Sequence, residues 1–171
     1  MWYLMQHMTK LITCPEHLSV TDMIEAYYEE SLDNTLFLAG GISGCPNWQD
    51  DMISLLDGVD VVLFNPRRED FDTSDASATV KQIKWEHEYL EAANMILFWF
   101  PCETMCPITL YELGKWTRSD KKIFVGVHPE YQRRIDVIEQ TSLERPDVVV
   151  VDSIESLAVQ VITYLAGAKM K

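Results

Sequence analysis

The sequence predicts a doubly wound α/β domain built on five parallel strands. From residue 36 onward, five short runs rich in Val, Ile, Leu and Phe occur at 36–39, 59–64, 95–100, 123–127 and 148–151. They are continuous rather than alternating, the pattern of strands buried on both faces of a parallel sheet. The segments between and after them, near 46–57, 79–93, 107–119, 130–142 and 153–166, are long enough to be crossover helices. Ligands of such sheets bind beyond the carboxyl ends of the strands, where the strand order reverses. Each candidate residue below lies just after a predicted strand or on an adjoining helix.

Residues 1–35 do not follow this alternation and are read as an N-terminal extension to a domain spanning 36–171. Within the extension, Ser19-Val-Thr-Asp-Met-Ile-Glu-Ala-Tyr-Tyr-Glu-Glu reads as a short amphipathic helix with a Ser or Thr cap. The first eight residues are apolar but lack a basic region and a cleavage site. Residues 67–77, acidic and rich in Ser and Thr, read as a mobile loop.

Composition narrows the function. The 171 residues are 47% hydrophobic and 24% charged, enough to form one domain with a sizeable core. The net charge of −13 is spread along the chain, which argues against a nucleic-acid polymer as partner, because phosphate neutralisation needs clustered Lys and Arg. A single nucleoside or nucleotide held by backbone N–H groups remains compatible. No apolar run reaches about 18 residues, so no membrane span is expected. Cys14, Cys45, Cys102 and Cys106 form no C-x-x-C pair and read as reduced thiols of a cytoplasmic protein.

The first run leads into Leu36-Phe-Leu-Ala-Gly-Gly-Ile-Ser-Gly-Cys-Pro-Asn-Trp. Gly40, Gly41 and Gly44 permit backbone N–H groups to approach a ligand, and Pro46 sits where a helix would begin. The pattern is neither G-x-G-x-x-G nor a phosphate loop with its lysine. It is either a ligand cradle or a tight βα turn. After the second run, Phe64-Asn-Pro-Arg-Arg puts Asn65 and Arg67 either at a pocket mouth or in a surface turn.

Two carboxylates stand in apolar settings. On the helix before the third strand, Ile83, Trp85, Tyr89, Leu90 and Ala93 share one arc, while Lys84, His87, Glu88 and Glu91 share the other. Glu86 falls within the apolar arc. Glu88 and Glu91 are explained as a solvated face, and His87 as a surface histidine. The second is Glu112, the only charge in Pro107-Ile-Thr-Leu-Tyr-Glu-Leu-Gly114, in the second turn of a helix that Pro107 begins. Gly114 is read as allowing close approach of a backbone or ligand. A charge among apolar neighbours is costly without a partner or a task. Two such carboxylates in one small domain point to acid, base or nucleophilic work at a sugar carbon.

Lesser features stay open. His128, after the fourth run, is either a ligand contact or a cap. Trp48, Trp85 and Trp99 could stack a base or simply fill the core. Cys102, Cys106 and His87 do not have metal-ligand spacing, so no metal is expected.

The ordered segments L-F-L-A-G-G-I-S-G, F-N-P-R, W-E-H-E-Y-L-E-A-A-N-M-I-L-F-W-F and P-I-T-L-Y-E-L-G-K resemble the nucleoside 2-deoxyribosyltransferase-like family over about residues 36–151. The resemblance implies a flavodoxin-like three-layer sandwich and a homodimer or larger assembly. It implies that Glu112, in the E-L-G run, is the nucleophile and that Glu86 helps protonate the departing base and orient the sugar. Gly40, Gly41, Ser43, Gly44, Asn65 and Arg67 then become candidate substrate contacts. Phe37 stands where members commonly have a tyrosine, and Cys106 where some carry a polar or acidic group. Ser43 stands where the monophosphate-hydrolysing branch often has an arginine, which favours a free 5′-hydroxyl.

The implied reaction is retaining transfer of a 2-deoxyribosyl group between bases through a glutamyl–deoxyribosyl ester. It needs no metal or organic cofactor. The alternatives are hydrolysis of a 2′-deoxynucleoside 5′-monophosphate on the same carboxylates, and a non-catalytic nucleotide-binding module.

Overall fold

The computed structural model describes residues 9–17, 34–68 and 76–168. Among these the chain forms one parallel sheet of β1 (Lys10–Thr13), β2 (Thr35–Gly40), β3 (Val62–Asn65), β4 (Met95–Phe100) and β5 (Lys122–Val127). The strand order is β1-β3-β2-β4-β5. Starting from β2, the run β3-β2-β4-β5 is the flavodoxin-like order, and β1 is an extra strand outside β3. The helices are α1 (Trp48–Leu55), α2 (Ala76–Ala92), α3 (Pro107–Trp116), α4 (Arg134–Glu144) and α5 (Ile154–Ala168).

Alternation along buried strands divides the core into two layers. Leu36, Leu38, Leu63, Met95, Leu97, Trp99 and Phe124 face α1 and α5, where they meet Trp48, Met52, Leu56, Leu157, Val161 and Leu165. Phe37, Ala39, Phe64, Ile96, Phe98, Phe100, Ile123 and Val125 face α2, α3 and α4, where they meet Trp85, Tyr89, Leu113, Trp116 and Val137. Trp48, Trp85 and Trp99 are therefore core side chains, and each large buried one contributes about 1.5–3 kcal/mol through burial.

The five-strand expectation holds in number but not in membership. The run at 148–151 touches the sheet only through the parallel bridge Gly126↔Val151, closed by Val127 N–H to Val151 O at 2.8 Å and Val151 N–H to Val125 O at 3.0 Å. Val149 is 68% exposed, while Val148 is buried and Val150 packs against the core, so the run contributes to the core without forming a full strand. The fifth strand is β1, supplied by the N-terminal extension. Lys-Leu-Ile-Thr is short and its first two residues are exposed, so the pattern of a buried strand is absent. Cys14 N–H continues the pairing to Asn65 O at 3.0 Å.

Smaller differences are local. β3 starts at Val62, not residue 59, because Val59 N–H bonds Leu56 O at 3.0 Å and Val61 N–H bonds Val59 O at 2.8 Å, closing a turn. α1 begins after Asn47, whose side chain accepts from Asp50 N–H, so Pro46 precedes the helix rather than opening it. Ile83, assigned to the buried arc of α2, is 58% exposed. The helix expected over 19–30 lies outside the described residues, as do 1–8 and residues 69–75 of the expected loop.

Gly126 marks the tightest packing between β5 and α5. A Cβ there would lie 2.5 Å from Leu157 Cδ1 and 2.8 Å from Trp99 Cε3. Gly126→Ala is expected to destabilise the fold by about 1–3 kcal/mol through overpacking, read as a lower urea midpoint with an unchanged slope.

Candidate active site

The strand order reverses between β2 and β4, and the loops leaving these two strands pack on each other. A Cβ on Gly41 would lie 2.8 Å from Pro101 Cγ, 2.9 Å from Cys106 Sγ and 3.0 Å from Thr104 Cγ2. Only glycine allows that approach. Gly44 has φ +76°, a left-handed turn that glycine adopts without strain. The glycine loop is held from behind: Trp48 Nε1–H donates to Gly41 O at 2.8 Å. The buried Gln49 Nε2 donates to the same oxygen at 3.4 Å.

Arg67 straps the loop down from β3. Its guanidinium donates to Pro46 O at 2.9 Å, Gln49 Oε1 at 3.0 Å and Cys45 O at 3.0 Å. Asn65 turns the chain toward it by accepting Arg67 N–H on Oδ1 at 3.0 Å. Both residues thus serve the loop's architecture. Gly40 and the buried Gly41 lie at the end of β2, and Ser43 and Gly44 are exposed beyond them.

The loop after β4 sets the direction of α3. Cys106 precedes Pro107 with φ 46° and ψ 53°, a left-handed conformation that costs a non-glycine residue about 1–2 kcal/mol. Two neighbours hold it there. Tyr131, buried after β5, donates its hydroxyl proton to Met105 O at 2.8 Å, and Gly41 leaves room for the buried Cys106 thiol. Burial pushes both the Cys106 thiol and the Tyr131 phenol up to about 12, so each stays neutral at physiological pH. Glu112 follows one and a half turns into the helix so directed.

Glu86 on α2 and Glu112 on α3 are both half-buried on the same face of the sheet. Burial raises the Glu112 carboxyl to about 8; the charge of Glu86 adds to the rise, and Lys115 opposes it. Burial also raises Glu86, offset by a hydrogen bond from Gln82. The charge of Glu86 therefore bears on Glu112, whose raised value keeps it protonated near neutral pH. One ionised and one protonated carboxyl group is the arrangement that glycosyl transfer requires.

The other candidates have structural explanations. His87 is exposed. His128 accepts Glu130 N–H on Nδ1 at 3.2 Å, a turn contact, with its ring edge-on to Trp99. Gly114 has open space where its Cβ would be, so no close approach explains it. Among the described residues, Cys102, His128 and Glu130 bring potential metal-ligand atoms within 4.8 Å of one another. The four cysteines are unbridged, and no helix among the described residues is long and apolar enough to cross a membrane.

The fold and site thus define a doubly wound α/β protein with two half-buried carboxylates on helices of one sheet face, the charge of one acting on the other. The family model described as nucleoside 2-deoxyribosyltransferase like matches residues 33–131, more than half of the chain and including both glutamates, and the protein belongs to that family. No curated protein matches the chain significantly.

The raised Glu112 carboxyl has a consequence for stability. Its folded value near 8 exceeds the ordinary carboxylate value, so the folded state binds more protons between pH 4.5 and 8 and loses stability as pH rises through that window. Glu112→Gln removes this penalty. The variant is expected to be more stable than wild type by about 2 kcal/mol above pH 8, allowing for partial water access, and equal to it below pH 4.5. Urea denaturation across pH measures the difference; a difference that grows toward low pH would contradict the assignment.

Proposed function

We propose that the protein transfers a 2-deoxyribosyl group between nucleobases, breaking the N-glycosidic bond of a 2′-deoxynucleoside through a covalent ester on Glu112. The observation that carries this reading is the interacting pair of half-buried carboxylates, set in the family's own region of the chain. In the free site the proton sits more readily on Glu112, because Glu86 accepts a hydrogen bond that favours its ionised form. As substrate binds, the proton passes from Glu112 to Glu86. Ionised Glu112 then attacks C1′, the C1′–N bond breaks, and the Glu86 proton goes to the departing nitrogen. An acceptor base reverses the sequence: Glu86 takes its N–H proton, the nitrogen attacks C1′, and the ester bond to Glu112 breaks. Absence of a 2′-hydroxyl makes the oxocarbenium-like transition state easier to reach, and the Glu112 charge stabilises it.

The glycine loop carries Ser43 rather than a cation, and Arg67 is engaged with the loop's own carbonyls. Both facts support a substrate with a free 5′-hydroxyl over a 5′-phosphate. Assembly as a homodimer or larger is part of the proposal. It is supported by Met105, Ile108 and Tyr111, which leave an apolar outer face on and before α3 at 42%, 64% and 75% exposure. A reduced cytoplasmic setting suits the four unpaired thiols.

Base release from deoxynucleosides, measured with and without an acceptor base, tests the reading. Acceptor-dependent exchange supports transfer. Release without an acceptor indicates hydrolysis, and binding without release indicates a nucleotide-binding module. Glu112→Gln and Glu112→Ala are expected to abolish turnover with the fold intact, because an amide cannot form the ester. A slow 2′-fluoro-deoxynucleoside should add its sugar mass to the peptide containing Glu112. Glu86→Gln should slow release by about 100-fold or less, most for poor leaving bases. Loss of the Glu86 charge should also move the titration of the Glu112 carboxyl, read by carbon-13 NMR, to lower pH, since that charge raises Glu112.

A further inference from the structure

We propose that Gln82 is a positioning residue that fixes the transferable proton of the carboxylate pair on Oε2 of Glu86, with Cys14 holding Gln82 in place. This rests on the reading of Glu86 as the group that protonates the departing base.

Gln82 lies one helical turn before Glu86 on α2 and is 8% exposed. Its Nε2 donates to Pro66 O at 2.7 Å and to Glu86 Oε1 at 2.8 Å, which uses both amide hydrogens. Its Oε1 accepts the thiol proton of Cys14 at 2.9 Å. The orientation of the amide is determined by chemistry. The Pro66 carbonyl can only accept, so the group facing it must be the NH2. A flipped amide would set two acceptors against each other there and remove the donor from Glu86.

Oε1 of Glu86 is therefore committed to accepting. When Glu86 is protonated, the hydrogen must reside on Oε2, leaving one defined oxygen to pass it on. Without Gln82 either oxygen could carry the proton, and the carboxyl could rotate. A general acid must present its proton within hydrogen-bond reach of the leaving nitrogen, so this restriction favours productive geometry.

Cys14 is suited to its part. Burial raises its thiol to about 11, with Arg68 opposing and Glu86 adding, so it stays an S–H donor across the neutral range. Its position comes from the N-terminal strand. Just beyond it, Trp85 Nε1–H and Tyr89 O–H both donate to Glu16 O, at 2.7 and 3.4 Å, tying this segment to α2. Glu86 acts electrostatically on Glu112 of α3 and on Cys14 after β1, and Arg68, after β3, acts on Cys14. Lys115 acts on Glu112.

Gln82→Met keeps the side chain's length and removes both donors. Two measurements on the full chain test it. Carbon-13 NMR titration of the Glu86 carboxyl should move to higher pH in the variant, because the lost hydrogen bond favours the ionised form. Base release from an ordinary 2′-deoxynucleoside should fall about 10- to 100-fold in kcat. Release from an N7-methylated 2′-deoxypurine nucleoside, whose base departs without protonation, should be unaffected. Cys14→Ser should behave as wild type, and Cys14→Ala should show the same pattern with a smaller loss; this pair carries the test if Gln82→Met does not fold. Equal slowing on both substrates, or an unmoved Glu86 titration, overturns the proposal. If the titration moves but wild-type protein releases no base from either nucleoside, the contact is real. The enzyme reading then fails, and the catalytic use of the contact fails with it.

Discussion

Glu86 and Glu112 cannot both be ionised without penalty, and the rest of the site is arranged around that constraint. Each sits half-buried against an apolar layer; burial raises both carboxyls, and the charge of Glu86 raises Glu112 further. The pair thus behaves as one unit holding one proton over much of the neutral range. An isolated surface glutamate would be an anion there and could serve only as a nucleophile or a base. In the proposed mechanism, coupling lets one of the two side chains act as acid and the other as nucleophile.

That coupling depends on a stiff framework. The sheet is filled on both faces by Leu, Ile, Val, Phe and Trp, and the glycine loop and the turn before α3 leave it at the carboxyl ends of the strands. There the loops are fastened from several directions. Arg67 holds the glycine loop by its carbonyls. Tyr131 holds the turn before α3 through Met105 O, next to the left-handed Cys106. Gly41 lets the two loops meet. The turn that directs α3 is strained at Cys106 and has to be held by its neighbours, and these contacts do so.

How much of this was legible in the chain depends on the range of the interaction. Glu86 was visible because three buried residues of its own helix, Trp85, Tyr89 and Leu90, and Ala93 just after it surround it at helical spacing. Glu112 was visible as a lone charge behind a helix-starting proline. Ile83 has the same apolar character as the buried residues, yet it points outward, because periodicity cannot tell how wide a face the neighbouring layer covers. Asn65 and Arg67 were legible as a motif at a strand end, but their use as a turn and a strap was not, since Arg67's partners lie about 20 residues earlier. Gln82 gave no signal: its significance comes from Cys14 and Pro66, which meet it only in the folded chain.

The sequence by itself determined the alternation of buried strands and helices, the family, the glycine loop and the two misplaced carboxylates. All of these are carried by local spacing, which acts within a turn or a strand. Only the tertiary structure decided that Lys10–Thr13 and not 148–151 completes the sheet, because edge pairing depends on which backbone is brought alongside rather than on a hydrophobic run. It also decided that the two glutamates share one face closely enough to perturb each other. Charge coupling falls with distance, and distance between residues on different helices is set by packing alone.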